Sequence, residues 1–160
     1  MAGTSHAREL GRWARRVARE MGLAERAIAE IGLAAELYAL DRTLREVGED
    51  PPDFVATFGW AAGAPDGLAP MLRVLVERTR HQRTPAAGGV PSGARVVLAC
   101  DDVLKLRRDS SGGIPEMGRV AELLQAHQTP IEVIEAIFRV LTAEKAARAA
   151  KAQNEKKRDT

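Results

Sequence analysis

Aromatic residues are scarce, only 4% of the chain, and its 160 residues include a single cysteine and three histidines. Hydrophobic residues still make up 45%, so the core has to be assembled from Ala, Leu, Val and Ile. Small and branched aliphatics in that proportion suit close helix packing, and they predict an all-α domain rather than a β-sandwich. With Cys100 alone there is no internal disulfide, and three scattered histidines add no zinc site at a recognised spacing, which points to a reducing cytoplasm. Nowhere do 18 apolar residues run together, and the opening MAGTSHAREL has no apolar signal core, so neither a membrane span nor secretion is expected. An excess of one charge is lacking too. Lys+Arg 24 against Asp+Glu 22 leaves a formal +2, too little for a surface dedicated to nucleic acid.

What the sequence does have is helical periodicity. Leu10, Trp13, Val17 and Met21 recur at steps of three and four from Ser5 to Met21, and Gly22 is a natural C-cap. His6 falls on that apolar stripe, while Arg8, Arg12, Arg15 and Arg19 take the opposite side. A second helix runs from Glu25 to Val47 through Ile28, Ile31, Ala35, Leu37, Leu40 and Leu44, and its wide apolar face marks it as the central helix of a bundle. Gly48 and Pro51-Pro52 end it. A short helix is predicted over Asp53 to Ala62, a turn over residues 63–67, a helix over Leu68 to Arg80 and a Gly/Pro-rich loop over Thr84 to Gly93.

Ala94 to Leu106 is almost wholly apolar and reads as a buried helix; a strand is the minority alternative, since no partner strands are evident. Pro115 to Gln128 is helical, and Thr129-Pro130-Ile131-Glu132 is a capping box whose helix has Ile131, Ile134, Phe138 and Leu141 as its core stripe. Beyond Thr142 no apolar residue is larger than Ala, so the chain should leave the core as a solvated helix that frays into EKKRDT. The expected organisation is a single bundle of six to seven helices over residues 1–142, then a polar, basic tail over 143–160, partly helical or disordered.

Three segments invite comparison with a known family. Residues 5–23, SHARELGRWARRVAREMGL, form a helix that opens near a His and closes in Gly-Leu. Residues 34–44, AAELYALDRTL, are an apolar run that ends in polar residues. Residues 90–106, VPSGARVVLACDDVLKL, lead through a Pro and an Ala-Arg pair to an inward Asp. In order and spacing they resemble the HD superfamily, most closely the HD-GYP domains of bacterial cyclic di-GMP signalling, over most of residues 5–141.

That family's reaction, metal-dependent phosphohydrolysis, needs a His and carboxylate cluster that holds cations beside a water. By resemblance its first metal ligand falls on His6 and its last on Asp101. The central His-Asp pair falls on Tyr38 and Ala39, and the Gly and Lys that follow become Asp41 and Arg42. The family's His-rich stretch and Gly-Tyr-Pro signature are reduced to Arg80-His81-Gln82-Arg83 and Gly88-Gly89-Val90-Pro91. The resemblance therefore implies a degenerate HD-GYP-like domain with no catalytic residue, no metal and no cofactor, acting as a protein-interaction or regulatory module in bacterial signalling. A protein partner is expected, and a homodimer is compatible. Two alternatives stay open: a receptor that binds cyclic di-GMP or another nucleotide without hydrolysing it, and a metal-dependent phosphohydrolase with a site rearranged around His6, Asp101 and His81 or Asp41.

Without the resemblance the same residues read more plainly. His6 is a hydrogen-bonded core histidine. Asp101 inside an apolar run needs a partner, for which Arg95, His6 or a helix N-terminus are the candidates. Cys100 is a small core residue with no base to activate it. The stripe Arg8, Arg12, Arg15 and Arg19 is a solvated face first and a contact for phosphates or an acidic partner second. In the tail, Lys145, Arg148, Lys151, Lys156, Lys157 and Arg158 outnumber Glu144, Glu155 and Asp159, but no aromatic residue is there to stack on a base, so nucleic acid is the weakest reading.

Overall fold

The computed structural model describes residues 2–54, 56, 67–81 and 90–158. Among these, six α-helices follow one another: α1 (Ala2–Glu20), α2 (Glu25–Glu46), α3 (Leu68–His81), α4 (Ser92–Asp109), α5 (Met117–Ala126) and α6 (Ile131–Arg158). The described residues contain no strand, so the protein is an all-α bundle and residues 94–106 are helix. Most of the helix expected over Asp53 to Ala62, the turn at residues 63–66 and positions 84–89 of the expected loop lie outside the described residues. At the start of the first of these, the Asp53 carboxylate accepts the Ala56 N–H at 3.0 Å, as an N-cap does.

Glycine ends both of the first two helices. Gly22 (φ +73°) and Gly48 (φ +79°) adopt the left-handed conformation that costs other residues energy. This brings the Leu23 N–H to the Ala18 carbonyl (3.2 Å) and the Glu49 N–H to the Leu44 carbonyl (2.9 Å), closing each helix end. Side-chain-free positions also set how closely α1 and α2 cross. A methyl group on Gly11 would run into the Glu36 side chain, and one on Gly32 into the Arg15 guanidinium.

The central helix is α4, not α2. It packs against all five other helices, and every residue from Val96 to Leu104 is buried. The reason lies in composition around the helix axis: from Val96 to Leu104 the only charged residues of α4 are Asp101 and Asp102, whereas α2 carries the half-buried Glu30, Glu36, Arg42 and Arg45 among its apolar residues. The stripe expected on the last helix also shifts. Its buried residues are Val133, Ile134, Ala136, Ile137, Val140 and Leu141, while Ile131 is 63% exposed and Phe138 only half-buried. Ile131 stands six residues from Ile137, which turns it about 120° away from the core. The Pro130 carbonyl accepts the first helical bonds, from Val133 (3.0 Å) and Ile134 (3.1 Å), so the helix starts a residue later than the capping box places it.

The tail does not fray where expected. Helix α6 continues to Arg158, and past Leu141 all its described side chains are exposed except Glu144, which is half-buried. Glu144 accepts Arg107 Nη2 at 2.7 Å and Arg16 Nη1 at 3.4 Å, tying the first turn of the tail to α4 and α1. No helix among the described residues is long and apolar enough to cross a membrane.

Candidate functional site

Two i, i+4 pairs and one N-terminal histidine converge beside the core. Tyr38 and Arg42 share a face of α2, Asp101 and Lys105 share a face of α4, and His6 comes from the first turns of α1. Asp101 is fully buried. Its Oδ2 accepts Arg42 Nη1 at 2.7 Å and the Tyr38 hydroxyl at 3.4 Å, and Lys105 Nζ lies 3.0 Å away. Arg42 Nη2 reaches His6 Nε2 at 2.7 Å, and its guanidinium lies over the Tyr38 ring, 5.4 Å from the centroid. Ala39, fully buried beside them, presents a methyl group and no donor or acceptor on its side chain. The structure thus gathers His6, Tyr38 and Asp101 around one arginine. The carboxylate's partners are Arg42 and Lys105, not Arg95, which lies on α4 itself.

Charge and burial decide the protonation of the cluster. An arginine can only donate, so His6 Nε2 must offer a lone pair and the ring is neutral, with its proton on Nδ1. Burial, then the Arg108 and Arg42 charges, lower the His6 pKa, with Asp101 pulling weakly the other way. The 3.8 Å approach of His6 Nε2 to Asp101 Oδ1 is therefore not an ion pair. Burial by itself would raise the Asp101 carboxyl, but the Arg42 bond and charge, helped by Lys105, outweigh it and hold the group below its ordinary value. Burial and the Asp101 charge push the Tyr38 phenol up to about 12. Burial likewise raises the Cys100 thiol, reinforced by Asp101 and Asp102, which leaves it inert.

These residues do not fit a dinuclear metal centre. The one lone pair His6 offers faces Arg42, Asp101 Oδ2 is taken up by Arg42, Lys105 and Tyr38, and the Tyr38 phenol is held neutral. Asp101 Oδ1 alone has no hydrogen-bond partner. Asp41, also buried, is held by Arg45 one turn on, with Nε 2.9 Å from Oδ2. The His81 side chain lies outside the described residues. A guanidinium stands between the positions that the family resemblance assigns to the first and last metal ligands, and it supplies the positive charge there.

The neighbouring Asp102 has its own partners, His127 Nδ1 at 2.6 Å and Arg78 Nη2 at 4.0 Å. The sequence carries the i, i+4 spacing of 38/42 and 101/105, but nothing in it places His127 and Arg78 beside Asp102 or Arg42 beside Asp101. The cluster opens to solvent through two abutting pockets of about 350 and 480 Å³ that share Arg42, Glu46 and Lys105, with Arg108 and His6 lining the first and Arg45 and Arg78 the second. The arginine stripe of α1 divides: Arg15 binds Glu36 at 2.7 Å, whereas Arg8, Arg12 and Arg19 remain exposed. Compared with protein-family models, curated proteins and solved structures, the chain matches none.

Proposed function

We propose that the protein is a catalytically silent, HD-GYP-like domain that acts by binding, as a regulatory module with a protein partner in bacterial signalling. One observation carries this reading: Arg42 bridges His6 and Asp101, so of the two residues at the resembled ligand positions the imidazole lone pair is spent on a hydrogen bond and the carboxylate on an ion pair to one internal guanidinium, rather than held open for a cation. A fold in that condition still offers helix faces and a cleft for recognition. Elemental analysis and cyclic di-GMP turnover on one purified sample test it. The expected result is no stoichiometric iron, manganese or zinc and no hydrolysis. One metal per chain, lost together with hydrolysis in Asp101→Ala, would restore the hydrolase reading.

A second reading, a nucleotide receptor without hydrolysis, is favoured by the cleft itself. Arg42, Arg45, Arg78, Lys105 and Arg108 line the two pockets, and against Glu46 at the rim and the buried Asp41, Asp101 and Asp102 they leave a surplus of one positive charge. Calorimetric titration with cyclic di-GMP separates the readings: saturable binding lost in Arg78→Gln supports the receptor, and silence leaves the protein partner.

A further inference from the structure

A separate cavity lies away from the Asp101 cluster, where α1, the end of α4 and the first exposed turns of α6 meet. It measures about 360 Å³ and is lined by Arg12, Trp13, Arg16, Arg107, Arg148 and, on the acidic side, Glu9 and Glu144. We infer that this cavity is a binding site for a phosphate group, built by Arg12 and Arg148 on a floor of Trp13 and Arg107.

The floor is rigid. Trp13 is 5% exposed, the Arg107 guanidinium lies over its ring at 5.7 Å, and Arg107 is itself held by Glu144 Oε2 at 2.7 Å. Arg16 shares Glu144 from the other side at 3.4 Å. The Glu144 carboxylate is thus consumed by two arginines. Arg12 and Arg148 come from different helices, both are exposed, and neither forms an ion pair among the described residues. Four guanidiniums against Glu9 and Glu144 leave a surplus of two positive charges, matched to a dianion. Planar guanidinium forks on two walls suit the several oxygens of a phosphate better than a point charge would. The site is independent of whether the Asp101 cluster is silent, since no residue lines both.

A phosphate group reaches such a pocket either on a small molecule or on a phosphorylated side chain, and two probes tell these apart: pyrophosphate and a phosphoserine peptide. Calorimetry at fixed ionic strength should show saturable one-to-one binding of at least one of them. Arg12→Gln and Arg148→Gln should each weaken it about tenfold or more, as loss of a charge-assisted hydrogen bond does. Glu9→Gln should tighten it, and Arg19→Gln, exposed on α1 outside the cavity, should leave it unchanged. The inference is overturned if neither probe binds, if Arg19→Gln weakens binding as much as Arg12→Gln, or if succinate binds as tightly as pyrophosphate.

Discussion

Arg42 and His6 meet at 2.7 Å, guanidinium Nη2 to imidazole Nε2, a contact that exists only while the imidazole is neutral. Protonating His6 would set two cations against each other beside a buried carboxylate already committed to Arg42. The fold therefore excludes a proton that the unfolded chain accepts, and this links stability to pH.

Acid should weaken the protein in two stages. The folded His6 titrates below its ordinary 6.5, so its contribution is present above that pH and is lost as pH falls. Asp101, depressed below its ordinary 3.8, adds a contribution that is present above that value and disappears as pH falls through its folded pKa. Urea midpoints measured from pH 8 to 5 should decline, and His6→Gln, whose amide oxygen can still accept from Arg42, should flatten that decline. Parallel curves for parent and variant would refute the assignment.

Removing Arg42 should be costly, because it leaves Asp101 buried with Lys105 as its remaining cation. Arg42→Ala is expected to lose about 3–5 kcal/mol, in the range for breaking one side of a buried pair. Pairing Arg42→Met with Asp101→Leu should recover much of the loss, since an apolar pair of similar volume carries no unpaired charge. Chemical denaturation of the single and double variants compares them directly.

Tyr38 is the only tyrosine in the chain, which makes its phenol directly observable. In the folded protein phenolate absorbance should appear near 12, against 10 in denaturant. The fold favours the neutral phenol, so stability should fall as pH rises above 10. Tyr38→Ala should cost about 2–4 kcal/mol through the cavity it leaves. Tyr38→Phe should cost less than about 1 kcal/mol, because the 3.4 Å bond to Asp101 is long. Tyr38→His combined with Ala39→Asp should destabilise the metal-free protein, since Ala39 is fully buried and a carboxylate there has no assigned partner.

Removing residues 151–160 should shift stability by no more than a few tenths of a kcal/mol, because residues 151–158 are exposed throughout. Glu144→Gln, six residues nearer the core than that cut, should cost about 1–2 kcal/mol, since Arg107, with its side chain 11% exposed, loses its 2.7 Å carboxylate. Thermal melts of the truncation and the point variant tell the two regions of α6 apart.

The run of amino acids determined much of this protein unaided. Apolar residues at steps of three and four, glycines at 22 and 48, and the scarcity of aromatics prescribe the helices and their ends, because those preferences act within one or two turns of chain. The tertiary structure decided which helix is central, which way α6 faces and who neutralises Asp101. Arg42 lies 59 residues from Asp101. His127 lies 25 residues from Asp102. Such pairs are set by the angle and register at which helices cross, and those depend on side-chain volumes from several helices at once, such as the bare Gly11 and Gly32 where α1 meets α2. A buried aspartate announces in sequence that it needs a partner, but only the packed bundle chooses between Arg95 on its own helix and Arg42 across the core.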